Sequence, residues 1–195
     1  SLSHLFGTDK LGRDILSRIL CGAKTSFGLT FLMLFLIVII GVSIGLFAGL
    51  LGGKAEHFLN SLMNGILAFP DTIFAIAVVG VIGAGLFNTV FVLAFVWWPK
   101  YARLTLALVK QEKNKDYLIV AKMSGVPLIT RILRYLLPNI LSQILITAFL
   151  DIGNMMLSLA GLSFLGLASQ PPYPEWGAML YESKQFMKVA QVGGQ

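Results

Sequence analysis

Long apolar runs broken by a few short polar stretches set the reading of this chain. Residues 27–51 hold no charge over 25 positions. As a helix that is ~37 Å at 1.5 Å per residue, enough to cross a hydrocarbon core of ~30 Å. Between His57 and Lys100 the one charge is Asp71, and between Tyr135 and Pro174 it is Asp151. The first of these stretches is too long for one crossing and must reverse, and Gly83, Ala84, Gly85 and Asn88 supply the turn. The pattern predicts spans near 27–51, 58–82, 86–108 and 137–167. The last turns of the third carry Lys100 and Arg103, and Pro171, Pro172 and Pro174 stop the fourth. The chain therefore divides into an external segment 1–24, a transmembrane region 25–168 and a second external segment 169–195.

Composition supports this all-α, multi-pass reading. The 195 residues are 56% hydrophobic and 12% charged, with a mean hydropathy of +0.82; soluble domains carry about twice that share of charge. A disordered chain is excluded, and a water-soluble enzyme does not fit. The net charge of +6 does not indicate nucleic acid, because phosphate recognition needs a solvated basic face. Cys21 is the single cysteine and reads as a small packing residue. The chain starts at Ser1 with no cleavable leader pattern, which suggests a segment of a longer protein.

Charge distribution orients the spans. Lys100, Arg103, Lys110, Lys113, Lys115, Lys122, Arg131 and Arg134 crowd one connection, against Glu112 and Asp116. The excess of Lys and Arg places that connection in the cytoplasm. Segments 1–24 and 169–195 then face outward, although the first carries four basic residues. Gly41, Gly45, Gly49 and Gly53 recur every four residues and predict a groove for close helix packing. Trp97, Trp98 and Tyr101 would sit at one membrane interface and Tyr173, Trp176 and Tyr181 at the other.

Within the basic connection, 114–125 is long enough for a short helix with Tyr117, Val120, Ala121 and Ser124 on one side, ended by Gly125 and Pro127. Asp71 and Asp151 are costly in lipid, roughly 2.5–3.5 kcal/mol for a charge at helix centre. They are expected to line a polar path for a cation or cationic complex, with Asn154 sharing the face of Asp151, or else to be hydrogen-bonded to neighbouring helices. Met63, Met155 and Met156 read as gap-filling residues. His4 and His57 have no second ligand at helical spacing, so no metal site and no cofactor is assigned. No phosphate-cradling Gly-x-x-x-x-Gly-Lys-[Ser/Thr] loop is present, nor a nucleophile–histidine pair.

The run 117–125 (YLIVAKMSG), followed by Leu137-Pro138-Asn139, resembles the EAA loop of permease subunits of bacterial ABC importers. The interval from Gly125 to Leu137-Pro138 is that of the motif; Ile119 stands where the motif has Glu, Val120 replaces its first Ala, and Tyr135 its usual Ile. The run 6–18 (FGTDKLGRDILSR) is similar to the external segment of C-type subunits of dipeptide, oligopeptide and nickel permeases. So are Phe69-Pro70, Tyr101-Ala102-Arg103, 162–167 (LSFLGL) with Pro171-Pro172, and Glu175-Trp176-Gly177. Peptide-type members usually carry Glu where this chain has Leu159, and 150–157 (LDIGNMML) with Ala160-Gly161 resembles the nickel permease subunit and importers of metal–opine complexes.

The resemblance implies a type I ABC importer membrane domain in the bacterial cytoplasmic membrane, with four spans here and six in the intact subunit. It implies a related second permease, two ATP-binding cassette subunits and an external binding protein as partners, with ATP hydrolysed by the cassette subunits. Tyr117, Ala121, Gly125, Leu137 and Pro138 would carry ATPase coupling within a cytoplasmic segment 111–134. The cargo expected from Leu159 is nickel or a metal chelate, with di- or oligopeptides as the alternative. An intramembrane enzyme using Asp71 and Asp151, or a passive channel, are the rivals from other classes.

Overall fold

The computed structural model of the chain describes residues 6–9, 11–168 and 173–192, with side chains of the last helix through Lys184. His4, Lys10 and the Pro171-Pro172 pair lie outside the described residues. Among those described, the chain is helical, with one isolated bridge between Thr8 and Asp14.

In chain order the helices are α1 (Ile15–Leu51), α2 (Gly53–Leu67), α3 (Asp71–Ile82), α4 (Leu86–Glu112), α5 (Asp116–Met123), the single turn α6 (Leu128–Thr130), α7 (Leu137–Phe164) and α8 (Trp176–Val192). Three helical stretches are long and apolar enough to cross a membrane: Ile15–Leu51, Leu86–Glu112 and Leu128–Phe164. A fourth crossing exists if α2 and α3 count as one broken span.

The boundaries differ from expectation in three places, each for a local reason. The 37 residues of α1 are ~55 Å long, so the helix begins inside the segment expected to be external. The span expected over 58–82 is broken before Asp71, because Pro70 lacks an N–H and its ring excludes a continuous helix. The third helix runs on to Glu112, which leaves Lys100 in its middle and not in its last turns. Helix α7 is entered through a π-helical stretch, Arg131–Leu136. Pro138 cannot donate to the carbonyl four residues back, and a widened turn accommodates that gap.

Two compact units emerge, one from the described parts of 1–33, 72–93 and 153–195 and the other from 34–71 and 94–152. In the second unit the glycine stripe meets α4. A Cβ on Gly41 would lie 2.6 Å from Tyr101 Cβ, one on Gly45 2.5 Å from the Ala102 carbonyl oxygen, and one on Gly49 2.7 Å from Val109 Cγ1. Only glycine allows this approach, and it gathers Ala48, Met63, Trp98, Ala102 and Leu106 into one core. Gly53 is not part of the groove: it has φ +56 and nothing within 4 Å. Trp97 and Trp98 are buried and Tyr101 is fully so, which overturns their assignment as interface anchors; tight packing on the stripe draws these rings inward.

In the first unit, Glu175-Trp176-Gly177 each has a packing reason. The Glu175 carboxylate accepts from the N–H groups of Gly177 (3.0 Å) and Ala178 (2.9 Å) and so caps α8. The Trp176 indole donates to the Ile19 carbonyl at 3.0 Å. A Cβ on Gly177 would lie 2.5 Å from the Ala160 carbonyl oxygen. Gly85 donates to the Leu167 carbonyl at 3.1 Å, tying the 83–85 reversal to the end of α7. On the side of this unit formed by 6–18 and α8, Arg18 contacts both Asp9 and Glu182 at 2.7 Å, and Arg13 pairs with Asp9 at 2.7 Å. Two of the four basic residues of 1–24 are thus spent on acids.

Candidate functional site

Two places gather the polar chemistry of the second unit: the connection after α4, and the middle of α4 and α7.

At the connection, α5 is held by side chains from both neighbouring helices. The Tyr117 hydroxyl donates to Glu112 Oε2 at 2.5 Å and accepts from Asn139 Nδ2 at 3.1 Å. One phenol therefore joins the end of α4, the start of α5 and the start of α7. Burial, then the bond to Glu112, raise its pKa, so the hydroxyl keeps its proton throughout the physiological range. Lys115 adds an ion pair to Glu112 at 2.5 Å.

The helix ends in a Schellman arrangement. Gly125 N–H donates to the Lys122 carbonyl at 3.2 Å and Val126 N–H to that of Ala121 at 3.1 Å. Gly125 has φ +76, a conformation that costs other L-residues roughly 1–2 kcal/mol. Leu118 and Ala121 are buried within the chain, whereas Ile119, Val120 and Met123 are exposed, the last at 82%. The inward face is therefore Leu118 with Ala121, and the outward face is apolar. Of the side expected to hold Tyr117, Val120, Ala121 and Ser124, Ala121 is buried, Tyr117 is half-buried, and Val120 and Ser124 are exposed. Leu137 is half-buried and Pro138 exposed at the mouth of α7.

In the helix centres, Asp151 is buried and its Oδ2 accepts from Lys100 Nζ at 2.6 Å and from the Tyr101 hydroxyl at 2.9 Å. Lys100 also sits 5.5 Å from the Trp97 ring centroid. Sequence reasoning placed Lys100 among cytoplasmic charges and missed this pair. Matched depth was the available signal: Lys100 lies about 18 Å from the Glu112 end of α4 and Asp151 about 21 Å from the Leu137 end of α7, at 1.5 Å per residue.

Asp71 heads α3 and is exposed. It lines a cavity of 110 Å3 with Ile66, Leu67, Phe69, Val96, Trp97 and Lys100. Asn154 is exposed on α7. The structure thus brings Asp71 and Lys100 to one cavity and joins Lys100 to Asp151. With two acids and one lysine, the cluster is less anionic than two unpaired carboxylates would be.

These features meet in a known family. The description "Binding-protein-dependent transport system inner membrane component" matches residues 41–190. The chain belongs to that family. It is an inner-membrane permease component of the ABC importer type, and the C-type peptide/nickel group indicated by its motifs is the one its relatives occupy. The chain is 38% identical over 186 residues to the di/tripeptide transport system permease protein DppC of Pseudomonas aeruginosa, covering 95% of this chain and 61% of that protein. It is 38% identical to the dipeptide transport system permease protein DppC of Haemophilus influenzae, over 96% of this chain and 64% of that protein. To the glutathione transport system permease protein GsiD of Shigella flexneri it is 42% identical, over 97% of this chain and 63% of that protein. It therefore spans less than two thirds of these curated relatives.

Proposed function

We propose that this permease carries di- or oligopeptides inward across the bacterial cytoplasmic membrane, with a related second permease, two ATP-binding cassette subunits and an external binding protein as partners. The observation that carries the cargo is the identity of the relatives, which are dipeptide, di/tripeptide and glutathione permeases. They favour peptides over nickel, the cargo indicated by Leu159 and 150–157. The Lys100–Asp151 pair agrees with the peptide reading, since a lysine beside the acids repels a bare metal cation.

The mechanical part of the proposal rests on α5. Its outward face of Ile119, Val120 and Met123 offers an apolar surface for a cleft of one ATPase. The Tyr117 bonds to Glu112 and Asn139 make it a rigid bracket between two spanning helices. Movement of the ATPases is transmitted to α4 and α7 through that bracket. Apolar Ile119, where the motif has Glu, makes this contact rely on shape and burial instead of an ion pair.

The test is assembly. Deleting 114–125 from the full-length subunit should abolish ATPase association while the protein still inserts in the membrane. Retained association refutes the coupling assignment.

A further inference from the structure

We infer that Asp71, Trp97 and Lys100 form a site for the charged end groups of a zwitterionic peptide, with Asp151 holding Lys100 in place. The inference deepens the peptide reading and rests on it. The three residues line one cavity of 110 Å3 together with Leu67 and Phe69. Pockets that take whole small molecules start at ~300 Å3, so this one receives end groups while the rest of the cargo lies outside it.

Both charged members retain unused binding capacity. The buried Trp97 ring walls the cavity and lies 5.5 Å from Lys100 Nζ. Asp71 is exposed and has no hydrogen-bond or ion-pair partner among the described residues. Lys100 gives one of its three donors to Asp151, and its side chain remains 47% exposed.

These groups divide a zwitterion between them. A substrate carboxylate finds the Lys100 ammonium, and a substrate ammonium finds Asp71. A bare cation meets Lys100 and a bare anion meets Asp71 in the same cavity, so each is disfavoured by a like charge. A ligand bearing both signs satisfies both. Asp151 then acts as a positioning residue, because it anchors the lysine between cargoes and leaves no unpaired cation in the span.

The test uses the intact transporter, freed of other cysteines (Cys21→Ser in this chain), with Leu67→Cys as a reporter on the cavity wall. Its reaction with N-ethylmaleimide is followed with Ala-Ala or with N-acetyl-Ala-Ala-amide present, beside uptake of Ala-Ala by the same preparation. Ala-Ala should slow labelling about threefold, the protection expected at twice the Kd, and the doubly blocked peptide should not. Protection should vanish in Asp71→Asn and in the paired change Lys100→Met with Asp151→Leu, which removes both charges together. Equal slowing by the blocked peptide, or none by Ala-Ala in a preparation that imports it, overturns the inference. A preparation that imports no Ala-Ala overturns the peptide reading, and this inference with it.

Discussion

Lys100 and Asp151 form an ion pair at 2.6 Å in the middle of two membrane-spanning helices, with the Tyr101 hydroxyl 2.9 Å from the same carboxylate oxygen. Removing one member of such a pair leaves an uncompensated charge, which costs about 3–5 kcal/mol, whereas replacing both with apolar groups is often neutral. Asp151→Leu should therefore lower the midpoint of thermal unfolding in detergent sharply. Lys100→Met added to it should restore most of the loss. A double variant no better than the single one would show that the pair has no energetic coupling.

Gly45 sets the approach of α1 to α4, since even a methyl would lie 2.5 Å from the Ala102 carbonyl oxygen. Overpacking of this kind typically costs 1–3 kcal/mol, so Gly45→Leu should destabilise by about that amount. Gly28, with nothing within 4 Å, should accept Ala without loss. Comparing the proteolysis resistance of the two variants in membranes checks the contrast.

Tyr117→Phe removes the hydroxyl that bonds both Glu112 and Asn139. The bracket should loosen by about 0.5–1.5 kcal/mol, the usual net worth of a hydrogen bond whose partners water can reach. In the assembled transporter the expected result is a lower transport rate per ATP hydrolysed, with ATPase binding retained through the exposed apolar face. An unchanged transport-to-hydrolysis ratio would remove Tyr117 from the coupling route. Gly125→Ala should destabilise the connection by roughly 1–2 kcal/mol through its positive φ.

The cluster at 6–18 and α8 gives a pH prediction. Burial pushes the Asp9 carboxyl up, but the backbone N–H groups of Arg13 and Leu11 and the Arg13 guanidinium outweigh it and bring the pKa down to about 2. A depressed carboxyl stabilises the fold above its unfolded value of 3.8 and loses that contribution as pH falls toward 2. Hydrogen exchange of 6–9 and 11–14 should be slower in the native protein than in Asp9→Asn at pH 5, and the two should converge near pH 2. No difference at pH 5 would contradict the assignment.

What could be read from the sequence follows what lipid demands. Charge-free runs such as 27–51 must be helical and buried in membrane or protein, so α1, α4 and α7 were legible, as was the reversal at 83–85. The Pro70 break was visible as a proline but not as the end of a helix, because packing decides whether such a helix kinks or stops. Lys100 was misread because counting basic residues assigns a side to a loop, whereas one lysine with a buried acid at equal depth belongs to the span. The buried face of α5 was not legible either. Two helical turns carry too few positions for periodicity to single out Leu118 and Ala121 as the buried positions. The cargo is the least legible feature: Leu159 and the run 150–157 with Ala160-Gly161 indicate a metal by resemblance alone, and Leu159 is a buried packing residue.

Peptides are the cargo proposed for the importer that holds this subunit. The most direct measurement is uptake of labelled Ala-Ala and of labelled nickel in cells lacking the intact gene, with and without its return. Peptide uptake should be lost and restored while nickel uptake stays unchanged. Loss and rescue of nickel uptake alone would contradict the account.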